Sequence, residues 1–440
     1  MKAVVLAAGR GERLKPITDY VPKPLVRVWG KPAIEWVIIY LKAFFQEREI
    51  AVVTGYKSDK VEEFIKKRFP EITVLKNPKL TKGNLSSLLC AKNFLGNDKF
   101  IITNSDHIFE KDFLIKDFSI ERLVKEKAHI FLACQKDREI KEDEMKVKVN
   151  DNHIVKMSKK LKEFEGAYVG VAFIKETEAF WETAQKLAEN GEDTLVVEDV
   201  FNFMKGQKQP VWVNNAYFAE IDDIGDLIKA EFEKTKVVIF DLDGTLIDTM
   251  ELYSQKAAEL INKYYGIAQE KAKKLYLETS GLPFKEQLEL LFPKDKKNEK
   301  IAQEFEKWKG TIIGKVKLSK DKLELLNKFK RKGFILAVSS NNLKKYVKEI
   351  LKDAPVDYIM GWNGGNFKKG EKHIGFLEEE TGIKREFFIF IGDSLKDASL
   401  MKASNVRFIG VEGIFKDSDF RKIIPDLVTI KNLHEITKYI

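Results

Sequence analysis

The stretch AAGRGERLKPITDYVPKPL, residues 7–25, follows the apolar run KAVVL (2–6) and decides how the first half of the chain is read. A β-branched run that ends in a glycine-bearing turn predicts a buried strand feeding a ligand loop at its carboxyl end. A dinucleotide fingerprint would need a third glycine where Leu14 stands, and a P-loop would need Lys and then Ser or Thr after its second glycine. What stands instead is G-x-G-x-R-L-x-P-x-T, then V-P-K-P-L. Gly9 and Gly11 let backbone N–H groups approach an anion with no Cβ in the way. Arg13 can grip two phosphate oxygens, Lys23 is a mobile point charge, and Pro22 and Pro24 fix the backbone on either side of it.

Outward from this loop, short β-branched runs such as IAVVTG (50–55), FIITNSD (100–106) and IFLAC (130–134) alternate with longer amphipathic stretches, of which AIEWVIIYLKAFFQ (33–46) predicts a helix. The β-α-β-α order predicts an α/β fold with a mostly parallel, doubly wound sheet. It restarts at KVVIFDLDGTLIDT (236–249), passes through a helical region rich in Lys, Glu and Leu, and returns to strands at FILAVSSNN (334–342), FFIFIGDS (387–394) and VRFIGV (406–411). Two domains are expected, over residues 1–232 and 236–440, the second with a helical cap over about 250–330.

With 440 residues, 77 basic and 68 acidic, the net charge of +9 is a small excess on a mixed surface. It marks no nucleic-acid stripe, and the aromatic–basic interleaving of nucleic-acid modules is absent. No apolar run reaches the length of about 20 residues that a bilayer requires, so no membrane insertion is expected. No signal-peptide pattern opens the chain, and two cysteines, Cys90 and Cys134, make no disulfide framework, so a cytoplasmic location is expected. Charged residues at 33%, rich in Lys and Glu, match the composition of thermophile proteins.

The opening loop resembles the signature of the sugar-phosphate nucleotidyltransferases, over roughly residues 1–230, and is most similar to the cytidylyltransferases that act on inositol 1-phosphate. The resemblance implies that Ala8, Gly9 and Gly11 line the nucleotide and that Arg13 and Lys23 neutralise the α-phosphate and the leaving pyrophosphate. Glu12, where the family often has Ser or Thr, is expected to face solvent. Asp106, ending the strand FIITNSD, would hold Mg2+, with a second carboxylate, Glu220 or Asp222, from FAEIDD (218–223) where the family has W-x-D-I-D. Asn84 and Ser87 in GNLSSLL (83–89) match the segment that meets the nucleoside in cytidylyltransferases, which favours CTP. Lys159, ahead of G-A-Y-V-G, is the candidate for the acceptor's phosphate, or one of a solvated lysine pair with Lys160.

KVVIFDLDGTLIDT resembles the first motif of the haloacid dehalogenase superfamily of phosphatases. Asp241 is then the nucleophile and Asp243 the acid–base group. Ser339, or its neighbour Ser340, would bind the phosphoryl group, and Lys369, or Lys368, would be the motif lysine. Asp393, with Asp397 as a further candidate, would hold Mg2+ beside Asp241 and Asp243. His373 reads as a helix-start or surface residue. Together the resemblances imply a bifunctional enzyme that uses Mg2+ in both domains. It would transfer CMP from CTP to inositol 1-phosphate and hydrolyse a phosphomonoester, in functional partnership with a membrane CDP-alcohol phosphotransferase. Phosphocholine or a sugar 1-phosphate as acceptor, with a second domain that is structural or acts on an unrelated phosphate ester, is the alternative.

Overall fold

The computed structural model describes residues 1–79, 83–191, 194–363 and 365–440. These divide into two units, 1–226 and 227–440. The division falls within the helix Ile224–Glu233 (α2), a few residues ahead of the gap between the two expected domains. The end of that helix packs with the second unit: Phe232 lies 5.9 Å from the rings of Phe329 and Phe334, and Glu231 pairs with Arg407 at 2.6 Å.

The first unit is built on a nine-stranded sheet. Its core is the strand Lys2–Ala7 (β1), flanked in parallel by Ile50–Thr54 (β2) and Phe100–Asn104 (β4), with Thr73–Lys76 (β3) parallel to β2. Beyond β4 the sheet turns antiparallel through Gly166–Ile174 (β9), which also pairs with Ile130–Gln135 (β6) and Lys146–Asn150 (β7). His153–Ser158 (β8) and Lys208–Trp212 (β10) complete it. Alternation along β1 sends Ala3 and Val5 into one apolar cluster and Val4 and Leu6 into another, so both faces are covered. The helix Ala33–Lys42 (α1) contributes Ile34, Val37, Ile38 and Leu41 at helical spacing to the first cluster. Because β1 has a neighbour on each side, the crevice at its carboxyl end is where an open α/β sheet binds ligands. A two-stranded ribbon of His107–Phe109 (β5) and Phe218–Glu220 (β11) borders it, with Glu220 opposite His107.

The second unit has a six-stranded parallel sheet in the order Tyr358–Trp362 (β14), Ile335–Leu343 (β13), Val237–Phe240 (β12), Phe388–Gly392 (β15), Arg407–Val411 (β16), Val428–Ile430 (β17). Here too the first strand lies in the middle, between β13 and β15, and its carboxyl end opens at a switch point. Four helices, Met250–Tyr265 (α3), Gln269–Glu278 (α4), Phe284–Leu291 (α5) and Lys297–Ile312 (α6), form a cap with an apolar core of its own around Tyr253, Ile261, Leu288 and Phe305. Each such buried side chain contributes about 1.5–3 kcal/mol. The cap is shorter than expected: Lys320–Arg331 (α7) leaves it for the sheet, where Phe329 meets Phe240 at 5.6 Å. Among the described residues, no helix is long and apolar enough to cross a membrane.

Candidate active sites

In the first unit, the loop after β1 turns at Gly11, whose φ of +65° and the closeness of Lys23 exclude a side chain: a Cβ there would lie 2.9 Å from Lys23 Cβ. Nothing lies within 4 Å of where a Cβ on Gly9 would point, so that side of the loop is open. The carbonyl of Ala8 accepts from the Tyr56 N–H at 3.1 Å. Lys23, nearly buried, is bracketed by two carboxylates, Asp106 and, at 2.6 Å, Asp222. Arg13, half exposed, donates at 2.5 Å to the other oxygen of Asp222 and at 2.5 Å to Asp143. Glu12 is exposed and paired with Lys15 at 2.6 Å, as expected of a carboxylate kept off an anion site.

Burial alone would lower the pKa of Lys23, but Asp106 and Asp222 outweigh it and hold the ammonium firmly charged. Burial would raise Asp222, but Lys23 and then Arg13 drive its carboxyl well below the usual range. Burial would likewise lower His107, yet Glu220 and Asp106 raise it to about 9. Its Nε2 lies 3.1 Å from Glu220 Oε1. The three proposed metal carboxylates therefore divide: Asp106 and Asp222 converge on one cation, while Glu220 is taken by His107. Two carboxylates already gathered around an ammonium fit a divalent cation that keeps most of its water and phosphate ligands.

Asn84 and Ser87 both make hydrogen bonds within the protein. Asn84 Oδ1 accepts from the Val197 N–H at 2.9 Å, and the buried Ser87 hydroxyl accepts from Asn77 Nδ2 at 2.9 Å. Each side chain thus has an oxygen engaged in holding the fold. Lys159 is exposed, and its carbonyl accepts from Lys146 Nζ at 2.9 Å. Burial raises the Glu198 carboxyl, against its own backbone N–H, His107 and, least, Lys159.

In the second unit, Asp241 follows β12 directly and its N–H donates to Ile391 O at 2.9 Å, which locks the loop to β15. Gly244, at φ +82°, is required by both backbone and space: a Cβ would stand 2.1 Å from Asp393 Oδ2. The side chains of Asp241, Asp393 and Asp397 bring oxygens within 4.8 Å of one another. Lys369 Nζ lies 2.5 Å from Asp241 and 2.9 Å from Asp397. Asp243 is held at both oxygens, by Thr249 Oγ1 at 2.6 Å and by Asn342 Nδ2 at 2.5 Å. Asn342 Oδ1 in turn accepts from Lys309 of the cap.

One lysine cannot balance three buried carboxylates. Burial raises Asp241 well above the usual range despite Lys369, and burial together with Asp397 lifts Asp393 to about 7. Burial would lower Lys369, but Asp241 and Asp397 raise it. Asp397 Oδ2 is buried without a hydrogen-bond partner. This excess of negative charge fits a divalent cation held by Asp241 and Asp393, with Asp397 beside them. A cavity of about 520 Å³ opens above, walled by Asp241, Asp243 and Asp393 from the sheet side and by Tyr253, Tyr276 and Phe305 from the cap.

Ser339 is not on that wall. Its hydroxyl is buried 2.8 Å from His373 Nδ1, and Ser340 lines the cavity in its place. Consecutive strand residues face opposite sides, so the sequence pair S-S left the choice open and the pleat decides it. His373 starts a helix, Glu371–Thr381, but is fully buried rather than at the surface; burial and then Lys369 lower it to about 3. Asp143, His107, Asn342 and Lys309 were not found by sequence reasoning. His107 and Asn342 adjoin motif stretches and could have been suspected from that; nothing local marks Asp143 or Lys309.

Residues 2–139 match the nucleotidyl transferase family model, and residues 238–411 match that of the haloacid dehalogenase-like hydrolases. The chain thus joins a nucleotidyltransferase domain to a haloacid dehalogenase-like domain, each with the α/β fold its sequence predicts. A bifunctional IPC transferase and DIPP synthase of Archaeoglobus fulgidus is 31% identical over 231 residues, covering 52% of this chain and 43% of that protein. The protein of the same description from Aquifex aeolicus is 29% identical over 238 residues, covering 54% of this chain and 52% of its own length. The chain spans about half the length of these curated relatives. A solved inositol-1-phosphate CTP transferase from T. maritima is 25% identical, with a TM-score of 0.45, over 51% of this chain and 90% of that one.

Proposed function

We propose that the first unit transfers CMP from CTP to a phosphorylated alcohol, inositol 1-phosphate, and that the second hydrolyses a phosphomonoester. The observation that carries the first reading is Lys23 bracketed by Asp106 and Asp222, with Arg13 alongside, at the mouth of β1. In the transfer, a phosphate oxygen of the acceptor attacks the α-phosphorus of CTP. The bond to the bridging oxygen breaks, and pyrophosphate leaves. The acceptor oxygen is already a competent nucleophile, so no general base is required and positioning with charge neutralisation does the work. Lys23 and Arg13 exchange their carboxylate partners for phosphate oxygens, and Lys159 serves the acceptor.

In the hydrolysis, the Asp241 carboxylate attacks phosphorus, the ester bond breaks, and Asp243 gives its proton to the departing alkoxide. Asp243 then takes a proton from the water that cleaves the aspartyl phosphate, so inorganic phosphate leaves and both side chains return to their starting states. Lys369 keeps Asp241 oriented, and the Ser340 hydroxyl is available to the phosphoryl oxygens. Mg2+ at Asp106 and Asp222, and at Asp241 and Asp393, would supply charge neutralisation at the reacting phosphates. The naming of the relatives as IPC transferases supports inositol phosphate as acceptor, and a membrane CDP-alcohol phosphotransferase would consume the product.

The test is incubation of the full chain with Mg2+, CTP and inositol 1-phosphate, following pyrophosphate release and CDP-inositol by chromatography. Turnover of phosphocholine or a sugar 1-phosphate in its place would reject the acceptor, and preference for UTP would reject the base.

A further inference from the structure

The cap side of the second unit's cavity carries polar atoms that the protein leaves unmatched. The hydroxyl of Ser280 and the Oε2 of Glu306 are shut from solvent without a hydrogen-bond partner. The Tyr253 hydroxyl is equally enclosed, beside a Thr249 hydroxyl that is already given to Asp243. All three residues line the cavity that ends on Asp241 and Asp243, and Ser280 and Tyr253 are each more than nine-tenths buried. Buried polar groups are normally paired, so three orphans around one space describe what the space is shaped to receive. Around them stand aromatic rings: Tyr253 and Phe305 at 6.0 Å, Phe284 and Phe305 at 4.5 Å, Tyr276 and Phe284 at 5.6 Å.

The charges narrow the choice further. Each ammonium on the cap side of this wall is already matched. Lys285 pairs with Glu299, and Lys309 bonds Asn342 and lies 3.4 Å from Glu306 Oε1. On the sheet side, Lys368 pairs with Glu286 at 2.5 Å, and Lys369 serves the catalytic carboxylates. A second anionic group on the substrate would have to break the Lys285 or Lys368 ion pair to gain a cation, and Glu306 Oε2 would repel it. An apolar alcohol would leave the three orphans unpaired, each such loss costing about tenfold or more in affinity. Hydroxyl groups satisfy them, donating to Glu306 and exchanging bonds with Ser280 and Tyr253, while the C–H faces of a polyol lie against the rings. A volume of about 520 Å³ is ample for such a compound.

We infer that the second site selects phosphomonoesters of neutral, polyhydroxylated alcohols, recognised by Ser280, Tyr253 and Glu306 of the cap. This rests on the hydrolase reading above, and the two fail differently. Phosphate release by the full chain with Mg2+ is measured for inositol 1-phosphate and sorbitol phosphate, for phosphoglycolate as an ester with a second anion, and for para-nitrophenyl phosphate as an apolar one. The polyol esters are expected to lead in kcat/KM by about tenfold or more. Glu306→Gln and Tyr253→Phe should lower kcat/KM for the polyol esters about tenfold more than for the aryl ester, chiefly through KM. Release led by phosphoglycolate or the aryl ester, or equal losses for every ester in both variants, overturns the assignment and leaves the hydrolase standing. If no ester turns over, binding to the Asp241→Asn variant decides by calorimetry: preference for the polyol phosphate keeps the pocket assignment while the hydrolase reading falls, and absence of preference ends both.

Discussion

The two units solve a similar electrostatic problem at the same place in the fold and finish it differently. Each ends its central strand beside a buried lysine held between two aspartates: Lys23 between Asp106 and Asp222, Lys369 between Asp241 and Asp397. In the first, Arg13 adds a second cation at 2.5 Å from Asp222, so that two cations meet Asp106, Asp222 and Asp143, and the loop side at Gly9 is open. In the second, carboxylates outnumber the lysine and four helices supply one wall of the cavity. The difference teaches what each site lacks. The first holds its cations on carboxylates that a polyphosphate can displace; the second has negative charge that calls for a cation before a phosphate dianion can approach.

Substitutions that strip the chemistry from one side should break the comparison most sharply. Asp243→Asn should lower phosphomonoester hydrolysis by about 10²–10⁴-fold while CMP transfer is untouched. Lys23→Met should lower CMP transfer by about 10²–10³-fold and leave hydrolysis alone. Steady-state assays of both reactions on each variant check this, and a loss in both activities from either change would show that the sites are not independent.

The glycines sharpen it next. Gly244→Ala would force a Cβ to within 2.1 Å of Asp393 Oδ2, whereas Gly11→Ala meets Lys23 Cβ at 2.9 Å, and both residues have positive φ. Both should destabilise, by about 1–3 kcal/mol from backbone strain, with Gly244→Ala the worse of the two because its clash is deeper. Urea unfolding of the two variants ranks them. The serine pair comes third: Ser340→Ala should cost hydrolysis about tenfold, while Ser339→Ala should cost stability of about 1–3 kcal/mol by leaving buried His373 Nδ1 without its partner. Equal activity in both variants would remove Ser340 from the site.

The smallest effect concerns pH, and the two buried histidines carry opposite signs. His373 is lowered to about 3. Between that value and the unfolded value near 6.5, the unfolded chain binds the extra proton, so stability falls as pH drops through this window, by up to about 1.4 kcal/mol per pH unit. His107 is raised to about 9, so its contribution is complete below about 6.5 and is lost as pH rises through 9. Denaturant midpoints measured between pH 5 and 9.5 on the parent, His373→Gln and His107→Gln proteins separate the two slopes. A parent-like acid slope in His373→Gln would contradict the first assignment.

Much of this was legible because strand-end chemistry is written locally. Asp241 and Asp243, Gly11 and Lys23, and Asp106 each follow or border a run that can only be a buried strand, and the open-sheet rule then sends them to a crevice. What was not legible depends on facing and on distant partners. The choice between Ser339 and Ser340 is set by the pleat, and the diversion of Glu220 to His107 by strand pairing across 113 positions of chain. Asn84 and Ser87 stand in a recognisable motif, whereas their hydrogen bonds to Val197 and Asn77 belong to tertiary structure. The extent of the cap was overread because α7 has the same Lys, Glu and Leu composition as the helices before it, and only the burial of Phe329 against Phe240 reveals its allegiance.

The cap's private apolar core has an evolutionary consequence. Because Tyr253, Ile261, Leu288 and Phe305 close on one another rather than on the sheet, the four helices form a packing module that can drift, or be exchanged for another, without rebuilding the strands that bear the reactive carboxylates. Lys309 constrains that exchange, since its grip on Asn342 reaches the acid that Asn342 holds. A transplanted roof that lacked this one lysine would bring a new taste in substrates together with a poorly aimed proton donor.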